Sequence, residues 1–169
     1  GVTGVQTCAL PSVMYVMLQN LCADTSVRTD NLPSLPRNQY NTREAFTLSG
    51  GSQNVGRIDA INVSTGKTLW SWETAASNYA PVLATGGGLV FNGGMDRWFR
   101  AFDQANGKLL WQTRLGSQVS GAPVSFSIKG RQYIAVAAGG GFNGPAASMN
   151  RAIDQAPGAN MVYVFALPE

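Results

Sequence analysis

Histidine is missing from this chain, which excludes imidazole acid–base catalysis and histidine metal ligation from its own residues. Charge is scarce as well: 12% of residues are charged, against about a quarter in typical globular domains. That composition excludes charge-rich disorder and a solvated coiled coil. The 12 Lys and Arg residues are scattered, without the basic stripe a nucleic-acid partner requires, so no such partner is expected. No apolar run approaches the roughly 20 residues of a membrane helix. Residues 8–22 are fairly apolar, but Pro11 breaks them and no basic segment precedes them as in a signal peptide. What is present points to strands: 44% hydrophobic residues and 20 glycines, the mixture of short apolar runs and tight turns that builds sheets.

Residues 1–11, GVTGVQTCALP, show neither strand nor helix periodicity and resemble the translation of a sequencing-adapter stretch. They are left out of the expected fold, as a fusion scar would be. That leaves Cys22 as the one cysteine of the remaining chain, so a Cys8–Cys22 disulfide is not assumed. Alone, Cys22 reads as a small buried hydrophobe.

The strongest signal is internal repetition. AINVSTGKTLW (60–70) and AFDQANGKLLW (101–111) align without gaps, 41 residues apart. Ala60 matches Ala101, Asn62 matches Asp103, Gly66 matches Gly107 and Trp70 matches Trp111. Ala80-Pro81-Val82 recurs as Ala122-Pro123-Val124, 42 residues on. RIDAINV and WFRAFDQ alternate as strands do, STGK and ANGK supply a glycine for a hairpin, and KTLWSW and KLLWQT form the return strands. A unit of about 41 residues with four short strands (YAPVLAT, GLVFNGG, WFRAFDQ, KLLWQT) is a β-propeller blade. The expected fold is therefore all-β, a partial propeller of two to three blades. Residues 12–76 would form a partial blade carrying an insertion at about 22–55, residues 77–117 a whole blade, and residues 118–169 a last blade with an insertion at 140–160. Long insertions of this kind are often functional.

The motif A-x-[DN]-x-x-[TN]-G-K-x-x-W is similar to the tryptophan-docking motif of the quinoprotein alcohol and methanol dehydrogenases. Residues 78–117, GRQYIAVAAGGG (130–141) and VYVFALPE (162–169) resemble the C-terminal part of that family. The resemblance implies an eight-bladed propeller whose N-terminal blades lie outside this chain, with Trp70 and Trp111 docked between blades, Gly66 and Gly107 in the docking turns, and Ala60 and Ala101 as their small neighbours. It implies an enzyme that oxidises alcohols with pyrroloquinoline quinone and a bound Ca²⁺ or lanthanide. Electrons would pass to a cytochrome c or a quinone, and the location would be periplasmic. The resemblance also implies that Cys22 pairs with an upstream cysteine, and that the metal ligands and catalytic Asp lie outside this chain, which by itself should be inactive.

One edge of the cofactor site is expected here. Tyr79 stands where relatives carry a tryptophan that contacts the quinone, and Asn78 and Trp98 are its candidate companions. Asn92, Arg97, Asp96 and Asp154 are further polar residues near this edge or in loops, each with a plainer reading as turn or surface chemistry. GGGFNG (139–144) lacks the Lys-Ser/Thr of a phosphate loop and reads as a channel-mouth loop. A second reading of the repeat is a non-catalytic propeller serving as a periplasmic outer-membrane assembly scaffold, a class without the long insertions.

Overall fold

The computed structural model describes residues 6–8, 12–27, 42–140 and 160–166. Among them there is no α-helix; strands and their connections make up the fold. The first sheet holds β1 (Gln6–Cys8), β2 (Val13–Gln19), β5 (Gly56–Asn62) and β6 (Thr68–Thr74), side by side in that order. The second holds β7 (Leu83–Ala84), β8 (Leu89–Gly93), β9 (Trp98–Asp103) and β10 (Leu109–Arg114), in sequence order across the sheet. The third consists of β11 (Val124–Ile128), β12 (Arg131–Ala138) and β13 (Met161–Ala166). A separate two-stranded ribbon pairs β3 (Leu21–Val27) with β4 (Thr42–Leu48). Every pairing is antiparallel.

The second sheet contains the four strands expected from the repeat. Its β9–β10 turn explains why the motif needs an Asn or Asp followed by Gly. Asp103 Oδ1 accepts the backbone N–H groups of Ala105 (2.8 Å) and Asn106 (3.2 Å). Gly107 then takes φ = 72° and returns its N–H to the Asp103 carbonyl at 2.9 Å. Asn62 does the same for Ser64 and Thr65, with Gly66 at φ = 68°. The side-chain oxygen satisfies the turn and glycine supplies the left-handed residue.

Alternation along β8 and β9 sends side chains to both faces of the second sheet. Val90 and Phe102 join Val13, Tyr15, Ile58, Ala60 and Trp70 of the first sheet. Phe91, Phe99 and Ala101 join Ile134, Val136 and Ala138 of the third. The middle sheet is thus covered on both sides, as an interior blade must be. Each fully buried Val or Phe contributes about 1.5–3 kcal/mol.

Trp70 lies in the seam between the first two sheets. Its Nε1 donates to the Gln104 carbonyl at 3.0 Å, and its ring rests where a Cβ on Gly107 would stand, 2.6 Å from Cδ2 and Cε3. Ala60 is its cross-strand partner and leaves room for the indole. Trp111 holds the same place opposite Ala101, and its edge meets Phe99 and Phe165 at centroid distances of 6.3 and 5.4 Å. It is 41% exposed, because the described residues of the third sheet contain no counterpart of the 104–107 turn.

Three expectations change. Residues 1–11 were left out of the fold, yet Gln6–Cys8 pair with Val13–Tyr15 as the outer strand β1; backbone pairing needs no side-chain periodicity. The 22–55 insertion is not a structureless loop: seven register pairs from Leu21↔Leu48 to Val27↔Thr42 build the β3–β4 ribbon. Cys22 sits on that ribbon as an exposed free thiol, not a buried hydrophobe.

A close approach fixes how the second sheet meets the segment leading to the third. A Cβ on Gly93 would collide with the Val119 side chain, and Val119 is 1% exposed. Gly93→Ala is therefore expected to cost about 1–3 kcal/mol, read from urea unfolding midpoints. Adding Val119→Ala should recover part of it, since the two methyl groups nearest the new Cβ are then removed. No recovery would mean that the backbone, not the valine, sets the fit.

Candidate functional site

At one end of the second and third sheets, five segments converge on a cavity of about 510 Å³. Tyr79 comes from the β6–β7 connection and Met95 from the β8–β9 turn. Gln118 and Ser120 come from the β10–β11 connection, Gly139 and Gly140 follow β12, and Asn160 precedes β13. Backbone hydrogen bonds tie these segments together. Met95 N–H reaches the Ser77 carbonyl at 3.1 Å and Val119 N–H the Gly94 carbonyl at 3.2 Å. Gly139 N–H reaches the Gln118 carbonyl at 2.9 Å, and Val119 bridges to Ala138. Tyr79 links this end to the first sheet by donating its hydroxyl to Gln19 Oε1 at 3.4 Å.

The wall is mostly apolar. Among the described residues its lining carries no charged side chain, and no group of three or more Cys, Asp or Glu is placed to hold a metal. What polarity it has comes from amides. Gln118 Nε2 donates to the Gly140 carbonyl, and Asn160 Oδ1 accepts Gly140 N–H at 2.8 Å. Gln118 Oε1 is buried without a donor. Behind Tyr79, Asn78 is 1% exposed and neither atom of its amide has a partner; the Ser77 hydroxyl is likewise unpaired. An orphaned buried polar group costs about 1–3 kcal/mol, so such a cluster marks a place where ordered water or a bound molecule completes the bonding.

The expected site residues divide. Tyr79 lines the cavity, and Asn78 lies buried beneath it. Trp98 is not part of the lining. It is half-buried on β9, on the face it shares with Arg100, and that face turns toward the first sheet, where the Arg100 guanidinium lies 4.9 Å from the Trp72 ring. Asp96 is held by Arg100, and Asn92 donates to the Ala80 carbonyl at 2.9 Å. Arg97, at φ = 69°, donates Nε–H to the Leu115 carbonyl at 3.0 Å. Asp154 and residues 141–144 lie outside the described residues. Sequence reasoning missed Gln118, Met95, Ser120 and Asn160. A signal existed for two of them: Gln118 is an amide inside the small and apolar run LGSQVSGAPV, and Asn160 immediately precedes the last apolar run. Among the described residues the clear pKa shift belongs elsewhere: the hydrogen bond from Arg57 to Asp59 in the first sheet raises the Arg57 guanidinium further.

Residues 72–134 match the family model for the glucose/ethanol/alcohol dehydrogenase β-propeller domain. Over 119 residues the chain is 35% identical to a quinoprotein ethanol dehydrogenase of Pseudomonas aeruginosa, covering 68% of this chain and 19% of that one. Over 117 residues it is 37% identical to a 1-butanol dehydrogenase (cytochrome c) of Thauera butanivorans, covering 69% and 16%. Among solved structures, a europium-containing methanol dehydrogenase superposes with a TM-score of 0.80 at 26% identity, over 96% of this chain and 32% of that one. The chain spans about a fifth of the length of the curated relatives it matches.

Proposed function

The chain is a partial β-propeller of the quinoprotein alcohol dehydrogenase family, and from that premise we propose that its full-length protein oxidises alcohols with pyrroloquinoline quinone and a bound Ca²⁺ or lanthanide. The observation that carries the reading is the cavity wall. Tyr79, Met95, Gln118 and Ser120 all lie within the stretch that matches the family's propeller, and they converge on one opening. Alcohol oxidation is in the names of the relatives, one of which also names cytochrome c. A cytochrome c or quinone acceptor and a periplasmic location belong to the same proposal.

The residues present fit one edge of such a cofactor and no more. Two buried amides, Asn78 and Gln118, keep unpaired atoms beside or behind the cavity, and Tyr79 offers a ring. Among the described residues the lining offers no cation for the quinone's carboxylates and no carboxylate for its metal, so this reading assigns those contacts to residues beyond the described ones. When bound, the quinone with its metal would supply the acceptor for the two electrons that leave the alcohol. This chain's part is to bind and to exclude water. Met95, Val119, Met161 and Val162 present an apolar wall, and the hydroxyl of Tyr79 is held against Gln19 so that the ring keeps one orientation.

The test is expression of the full-length protein, loading with pyrroloquinoline quinone plus Ca²⁺ or La³⁺, and a dye-linked assay with short-chain alcohols. Metal- and quinone-dependent turnover is the expected result. A protein that retains no quinone with either metal and oxidises no alcohol overturns the proposal.

A further inference from the structure

Arg97 occupies a backbone position that favours glycine. The β8–β9 hairpin closes with Gly94 N–H on the Trp98 carbonyl at 3.1 Å and Arg97 N–H on the Gly94 carbonyl at 3.3 Å. Its last residue, Arg97, takes φ = 69°. Glycine enters that region freely, whereas a side chain enters it at a cost. The repeat does not demand a side chain here, since Gly56 stands at the matching place 41 residues earlier. A strained residue kept where glycine would serve points to a task for its side chain.

That side chain reaches from the turn to the β10–β11 connection. Nε–H donates to the Leu115 carbonyl at 3.0 Å, while Leu115 N–H returns to the Arg97 carbonyl at 2.8 Å. Leu115 is thus gripped by both the backbone and the guanidinium of one residue. Further along, Val119 N–H reaches the Gly94 carbonyl at 3.2 Å, and the valine side chain packs on Gly93. The turn brings Met95 to the cavity, and the connection brings Gln118, Val119 and Ser120. Arg97 is not in the lining itself, so it acts through residues that are.

We infer that Arg97 is a positioning residue for the cavity: its guanidinium fastens the Met95 turn to the connection carrying Gln118–Ser120, and so fixes the spacing of that wall. The inference rests on the dehydrogenase reading, in which the molecule that meets the wall is pyrroloquinoline quinone.

The experiment compares the full-length protein with its Arg97→Gly, Arg97→Ala and Arg97→Lys variants by three readouts. They are Tm, hydrogen–deuterium exchange of the peptide carrying Leu115 and Val119 in the quinone-free protein, and Kd for pyrroloquinoline quinone titrated into the metal-loaded apoprotein. Glycine relieves the backbone strain and alanine keeps it, so Tm should be higher for Arg97→Gly than for Arg97→Ala. Both lose the guanidinium, so both should exchange faster and bind quinone about fivefold more weakly. Arg97→Lys, whose ammonium still reaches toward the Leu115 carbonyl, should recover part of the affinity. A Kd within twofold of wild type in Arg97→Gly overturns the inference. So does a Kd that follows Tm, normal with glycine and raised with alanine, because the backbone conformation would then set the wall. A raised Kd with unchanged exchange overturns it too, since the guanidinium would be acting on the quinone and not on the connection. A wild-type protein that binds no quinone sinks the dehydrogenase reading; the exchange arm, which needs no quinone, then decides by itself whether Arg97 fastens the two segments.

Discussion

Trp70→Ala is expected to destabilise the chain by about 3–5 kcal/mol, the cost of emptying a buried indole site. Trp70 is 8% exposed and packs between two sheets rather than within one. Its loss does not orphan the Gln104 carbonyl, since Tyr15 also donates to it at 3.2 Å, so the cost is chiefly a cavity in the seam. Gly107 supplies the cross-check. Gly107→Ala places a methyl against the indole and forces a non-glycine residue to φ = 72°. The strain alone is worth about 1–2 kcal/mol, and the collision adds to it. In a Trp70→Ala background the collision disappears and only the strain remains. Urea unfolding of the wild type, both single variants and the double variant should therefore show a double-variant cost below the sum by about 1–2 kcal/mol. Additivity within about 0.5 kcal/mol would mean that indole and turn do not touch in solution. Trp111→Ala, at a site 41% exposed, should cost clearly less.

The parts of the fold legible in the sequence are those whose chemistry is local. The 60–70 and 101–111 turns announce themselves because the Asn or Asp oxygen and the left-handed glycine act within five residues of each other. The strands of the second sheet follow from the alternation they flank. β3 and β4 were not legible: their pairing spans residues 28–41, and Leu-Cys-Ala-Asp-Thr-Ser-Val has weak alternation. The cavity was less legible still. Tyr79 and Asn160 stand 81 residues apart in sequence and meet only because two sheets bring their ends together. Tyr79 was named through the family resemblance. Gln118 offers only a weak signal, an amide inside a small and apolar run, because its unpaired oxygen is a property of the folded chain. The period of two along β9 already pairs Trp98 with Arg100 on one face; what the sequence does not reveal is that this face turns toward the first sheet and not the cavity.

Asp96→Asn should cost about 3–5 kcal/mol, although it changes a single atom type in a turn. The reason is Arg100. Its side chain is 7% exposed, and the paired Asp96 carboxylate 14%. The pair is two-pronged: Nη1 donates to Oδ1 at 3.2 Å and Nη2 to Oδ2. The guanidinium also lies over Trp72, 4.9 Å from the ring centre, so the cation sits in the seam between β9 and β6. With Asn in place of Asp, the turn keeps its acceptor for the Trp98 N–H, now 3.2 Å from Oδ1, but the buried cation loses its counter-charge. A bond lost from the turn alone would cost about 1 kcal/mol, so the size of the effect separates the two roles. The double variant Asp96→Asn/Arg100→Met sharpens the point. Methionine fills the space of the arginine stem against Trp72 and brings no charge, and replacing a buried ion pair by apolar packing is often neutral or stabilising. Its unfolding free energy is expected to return to within about 1 kcal/mol of wild type. If Asp96→Asn proves as mild as a surface change, Arg100 has found water or another partner, and the seam is looser at this end than at Trp70. If the double variant stays as unstable as the single one, the carboxylate is needed for the turn itself, and the two sheets are held in register by their apolar side chains alone.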